Sequence, residues 1–120
     1  MENGEIWKKA IDEHNAEEYL EAHELFEELW LELDNRNEKD TVQTLAQADA
    51  LAVHIQTGNT KAAQRLMRQL PELFQTLPDT YRNINLKEMK VWIGLMISII
   101  PPFGEFNLKT KKMPPKLIYC

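Results

Sequence analysis

Apolar positions recur along most of this chain at three- and four-residue spacing, the period of helices that bury one face. Over residues 5–14 they are Ile6, Trp7, Ala10 and Ile11, with His14 on the same side, which predicts a short amphipathic helix. A second stripe follows almost at once: Tyr19, Ala22, Phe26, Leu29, Trp30 and Leu33. Asn15 with Glu18 three positions later has the spacing of a capping box, and His14 and Tyr19 take its hydrophobic staple positions. The first two helices are therefore expected to form a tight hairpin.

After the wholly polar residues 34–40, Asp40 is the expected cap of a third helix over residues 41–57. Its core stripe is Val42, Leu45, Ala48, Ala52 and Val53. A second ordered face carries Gln43, Gln47, Ala50 and His54. A helix patterned on two sides is covered on two sides, one contact being polar. Asp49 falls on the apolar stripe and has no role in this pattern beyond a buried hydrogen bond or an exposed edge.

Gly58-Asn59 stops the third helix by a left-handed cap. The next helical pattern, over residues 60–76, contains Pro71, which predicts a kink or break near residues 69–70. Asn85 and Glu88 open a last helix over residues 86–100, apolar on nearly all sides, and Pro101-Pro102 ends it. Residues 101–120 contain four prolines and Gly104, yet carry Phe103, Phe106, Leu108, Leu117, Ile118 and Tyr119. That mixture predicts an extended arm lying on the body or on a partner subunit, so a homo-oligomer joined through the arm is one expectation. The fold class is all-α: a compact bundle of about five helices in antiparallel hairpins over residues 1–100, with the extended arm over 101–120.

Composition narrows the setting. One hundred and twenty residues suit a single domain with its own core, and 43% hydrophobic with 28% charged residues is ordinary for a soluble globular protein. The net charge of −5 is unevenly spread, because the arm carries Lys109, Lys111, Lys112 and Lys116 against Glu105 alone. The body is therefore acidic, which argues against a nucleic-acid partner. A single cysteine, Cys120, excludes an intramolecular disulfide and a cysteine-rich metal site, and points to a reducing cytoplasmic setting. The acidic first residues do not resemble a signal peptide. The apolar run over residues 91–100 is half of the ~20 residues a membrane span requires, so no membrane partner is expected.

Candidate chemistry concentrates on the second helix. His23 and Glu27, four residues apart, lie side by side at the edge of the apolar stripe beside Trp30. His23-Glu24-Leu-Phe-Glu27 is one imidazole short of a zinc-protease helix, and no second Glu-x-x-His supplies a di-iron bundle. Paired with the polar face of the third helix, three readings remain open. His23, Glu27 and His54 can serve as ligands of a divalent transition metal with open positions, Gln47 orienting substrate or water. Alternatively His23 and Glu27 form a catalytic general-base pair, with Gln47, Gln43, Tyr19 and Trp30 holding a substrate. Or the cluster is a structural network in which His23 and Glu27 satisfy each other and Trp30 donates its indole N–H to Glu27. His14 is expected only to pack on Tyr19.

The run Asn15-Ala-Glu-Glu-Tyr-Leu-Glu-Ala-His-Glu-Leu-Phe-Glu-Glu-Leu-Trp30, followed by Gln43, Gln47, His54 and Gly58-Asn59, resembles the family called domain of unknown function 309. The likeness covers roughly residues 6–100. Where that family usually has Phe, Gly and Gly, this chain has His14, Glu17 and Thr44. The resemblance implies a small all-helical fold and, through a label attached to the family, a metal-dependent hydrolase or metal-binding protein. The alternative is a non-catalytic helical-hairpin interaction module, similar to tetratricopeptide units in having Ala22 and Ala63 at close crossings, but lacking their ~34-residue period.

Overall fold

The helical periodicity is realised as six helices in the computed structural model, which describes residues 1–120. Helix α1, Asn3–Asn15, buries Ile6, Trp7, Ala10, Ile11 and His14, and α2, Tyr19–Glu32, buries Tyr19, Ala22, Phe26 and Leu29. The hairpin between them forms, but not with the expected cap. Asn15 stays in α1, and its side chain turns to the arm, where Oδ1 accepts from Leu117 N–H (2.7 Å) and Nδ2 donates to Leu117 O (2.9 Å). A two-point bond to a main chain satisfies more of the amide than one capping bond. The reversal is made instead by Glu17 at φ 63°, a left-handed conformation that a Cβ disfavours. The staple contact is present: the His14 and Tyr19 rings meet edge-on, with centroids 5.6 Å apart.

Helix α3, Arg36–Thr57, begins five residues earlier than expected because Asn35, rather than Asp40, caps it by accepting from Glu38 N–H (3.0 Å). Asp40 lies inside the first turns, 3.5 Å from the Arg36 guanidinium. Gly58, at φ 66°, closes the helix, and Asn59 N–H reaches back to His54 O at 2.9 Å. Asn59 then caps α4, Thr60–Leu66, by accepting from Ala62 N–H. Pro71 sits in the first turn of a separate short helix α5, Leu70–Phe74, so the expected break is real.

Two features depart from an all-helical outline without changing the class. Thr80–Tyr81 (β1) and Ile84–Asn85 (β2) form a hairpin whose turn residues Arg82 and Asn83 both have positive φ. Ile118–Tyr119 (β3) adds antiparallel to β2, so the arm, which the sequence did not predict to hold a strand, ends as one. Its prolines lie before the paired residues, leaving their N–H groups free to pair. The last helix α6, Lys87–Ile99, buries Met89, Trp92, Ile93 and Met96.

One core cluster runs through all of this, from Ile6 in α1 to Leu117 in the arm. Helix α2 packs most extensively on α3 and α1, which fixes the α2–α3 seam where the candidate residues lie. No helix is long and apolar enough to cross a membrane.

Candidate functional site

Helix α2 presents His23, Glu27 and Trp30, one turn apart, to the Gln43, Ala46 and Gln47 side of α3. These six residues line an open cleft of about 210 Å³. The cleft thus gathers five of the seven residues singled out in the sequence. Tyr19 is not among them: it is 3% exposed, packed on His14. Burial, reinforced by the carboxylates of Glu17 and Asp49, pushes its phenol above the ordinary value. His54 also falls outside. Burial lowers its pKa, as do the positive charges of Arg65 and His23.

The main chain of α3 fixes the orientation of His23. Its Nδ1 lies 2.7 Å from Ala46 O, and since a carbonyl only accepts, Nδ1 carries a hydrogen. Nε2 lies 2.5 Å from Glu27 Oε1. The contact sets the imidazole edge against the carboxylate, within one turn of the same helix. The His23 side chain is 23% exposed and that of Glu27 60%, which leaves the pair in contact with solvent.

Each wall carries one unsatisfied group. Gln47 Nε2 donates to Gln69 Oε1 at 2.8 Å, leaving Gln47 Oε1 buried without a donor. Trp30 Nε1 is buried without an acceptor. The expected bond from Trp30 to Glu27 is not made, because Glu27 Oε1 is turned to His23. Lys39 holds the indole from outside, with Nζ 4.0 Å from the ring centroid and bonded to Trp30 O and Leu33 O. Sequence reasoning missed Gln69, Ala46 and Lys39. Ala46 acts through its carbonyl, which has no side-chain signature; Gln69 reaches the cleft only because Pro71 starts a new helix there.

A second histidine pair lies against Tyr19, and in it Asp49 makes a buried hydrogen bond, the first of its two expected fates. His14 Nδ1 is 2.6 Å from Asp49 Oδ1 and Nε2 is 2.8 Å from Pro115 O, with both side chains 1% exposed. Both neighbours accept, so both ring nitrogens donate when Asp49 is ionised. Burial pulls the imidazole toward neutrality, but the Asp49 bond and charge and the Pro115 carbonyl outweigh it, and its pKa is raised.

A metal centre does not fit these residues. Of the expected ligands only His23 and Glu27 meet, and no three His, Cys, Asp or Glu side chains come together in a way that would hold an ion. Both ring nitrogens of His23 are already engaged. What lines the cleft instead is a histidine–carboxylate contact, with Trp30 and Gln47 each carrying a buried polar atom that has no partner within the chain.

Comparison with known proteins agrees with the motif. The family model described as Domain of unknown function (DUF309) matches residues 7–66, the stretch that holds every candidate residue. An uncharacterized protein of Aquifex aeolicus (strain VF5) is 27% identical over 113 residues, covering 90% of this chain and 34% of the relative. The chain therefore spans about a third of that curated relative's length. No solved structure matches.

Proposed function

The chain belongs to the family of domain of unknown function 309, whose description carries no activity, and we propose that it is a binding protein whose α2–α3 cleft takes a small amide-like group without a metal. One observation carries the reading: Trp30, whose N–H is unpaired, and Gln47, whose carbonyl oxygen is unpaired, both line one cleft. A buried polar atom left without a partner costs about 1–3 kcal/mol. A carboxamide presents the complement, an oxygen for Trp30 and an N–H for Gln47. Its second N–H has the exposed Glu27 carboxylate as acceptor.

Size supports the same ligand class. At about 210 Å³ the cleft lies below the ~300–1,000 Å³ of sites that enclose a whole drug-sized molecule, so it suits one functional group of a larger ligand. His23 and Glu27 would orient that group at the rim of the cleft. No bond-breaking step is assigned to them.

The test uses the indole N–H resonance of Trp30, identified by its loss in Trp30→Phe. Titration with acetamide should shift that resonance and leave those of Trp7 and Trp92 in place, and acetate should do less. Gln47→Leu should remove the response. A Trp30 resonance unmoved by ~50 mM acetamide would sink the proposal, because a group with two complementary bonds should occupy such a site at that concentration.

A further inference from the structure

Away from the cleft, the buried His14 pair is also a point at which the arm is tied to the helices. Residues 112–120 lie against the body with only Pro114 and Leu117 buried. Their hold is mostly polar. Trp92 Nε1 donates to Lys112 O (3.0 Å), Asn15 makes its two bonds to Leu117, and Cys120 N–H donates to Asn83 O (2.7 Å). The pairing of β3 with β2 adds to these. A segment that buries so little apolar surface opens on its own more readily than the core beneath it. Across its middle stands the bond from His14 Nε2 to Pro115 O, the one tie here made by a titratable side chain.

We infer that His14 is a proton-operated latch: with two protons its ring ties the arm to α3, and with one it lets residues 112–120 open. The geometry sets that count. Both neighbours are acceptors, Asp49 Oδ1 at 2.6 Å and Pro115 O at 2.8 Å, so holding both takes two N–H groups. A neutral imidazole has one. It stays on Nδ1, because the alternative sets a lone pair against a buried carboxylate, and Nε2 then turns its lone pair on the Pro115 carbonyl. Asp49 sits on a 22-residue helix packed in the core, so it is the arm that gives way. Few other groups face the ring. Tyr19 meets it edge-on from α2, and Lys116, next to Pro115 in the arm, is exposed. His23 on α2 and Glu17 in the α1–α2 turn act at longer range, on Asp49 and Tyr19 respectively. Asp49 keeps the second proton in place above the ordinary value of 6.5, so the latch is shut below that pH and opens as pH rises past the folded value. Opening uncovers Trp92 and the edge of β2 on which β3 was paired.

Amide hydrogen exchange of the whole chain, read by NMR across the titration of the His14 ring C–H resonance, tests this. Protection of the Leu117 N–H, which is bonded to Asn15 Oδ1, should fall at least ~10-fold as His14 loses its proton, because a buried acceptor is left unpaired. On both sides of the titration it should stay at least ~10-fold below the protection of amides in the middle of α3, the mark of an arm that opens while the body stays folded. Asp49→Asn should keep the latch shut: its amide donates to Nδ1 and leaves the hydrogen of a neutral ring on Nε2, so Leu117 stays protected throughout. Leu117 protection that is constant through the His14 titration overturns the inference, and that measurement needs no variant. Equal protection of Leu117 and α3 overturns it too, since the arm would then open only when the whole chain unfolds. So does a fall that persists in Asp49→Asn. None of these outcomes depends on what the α2–α3 cleft binds.

Discussion

The protein sets two histidine–carboxylate pairs against the same helix, and they differ in nearly everything except chemistry. His23 and Glu27 both stand on α2, four residues apart, at the rim of an open cleft, and one ring nitrogen is tied to the main chain of α3. His14 and Asp49 come from α1 and α3, lie 35 residues apart in sequence, and are sealed from solvent with the arm laid over them through Pro115. The first pair is built where a ligand can reach it. The second joins three parts of the chain: α1, α3 and the arm. Burial and connectivity, more than residue type, decide which of two similar pairs is a candidate site.

The largest effect should come from breaking the buried pair. Asp49→Ala leaves the His14 imidazole in a dry interior with no carboxylate, a loss of about 3–5 kcal/mol by analogy with other broken buried pairs. That is a large fraction of the ~5–15 kcal/mol of a typical domain. Urea denaturation should show the midpoint falling accordingly. A loss below ~1 kcal/mol would mean that the pair behaves like one in water, and the contrast with His23 and Glu27 would vanish.

A smaller effect is expected from pH, and its sign separates the histidines. The folded His14 holds its proton more tightly than the unfolded chain does. Its contribution is therefore complete below the unfolded value of ~6.5 and is lost as pH rises through the higher folded value. His54 is shifted the other way by burial and by Arg65, so it weakens the fold only as pH falls below ~6.5. Stability should decline above neutrality because of His14 alone among the histidines whose pKa is shifted. Combining His14→Phe with Asp49→Leu should flatten that decline, with stability at pH 6 unchanged or higher by up to ~4 kcal/mol, since apolar groups of similar volume replace buried ion pairs well. A slope that persists in the double variant would assign the pH dependence elsewhere.

How much of this the sequence held depends on the range of the interaction. The stripes of α1, α2 and α3, the left-handed cap at Gly58 and the break at Pro71 are local signals, and the fold follows them. The His23–Glu27 pair was legible for the same reason, being one turn apart. Asp49 was not, because its partner is 35 residues away on another helix. Asn15 shows how a local rule is overridden: it has the spacing of a cap, but Leu117, 102 positions later, offers its side chain two bonds. Glu17 is the converse case, a position where the resemblance led one to expect glycine and where φ is 63°. The unpaired atoms of Trp30 and Gln47 were beyond reach, since they follow from how Glu27 and Gln69 turn in three dimensions.

The smallest expected change in stability is the sharpest test of the comparison. Glu27 is 60% exposed, and an exposed i,i+4 pair contributes roughly 0–1 kcal/mol. Glu27→Ala should therefore leave the urea midpoint almost where it was, in contrast to Asp49→Ala. If the cleft is a binding site, the same substitution should weaken the acetamide-induced shift of the Trp30 indole several-fold, because it removes an acceptor beside the two unpaired atoms and frees His23 Nε2. The two pairs would then separate cleanly, one tracked by stability and the other by binding. A fall of more than ~2 kcal/mol on Glu27→Ala, with the shift unchanged, would make both pairs structural, since a loss that large is the mark of a broken buried network.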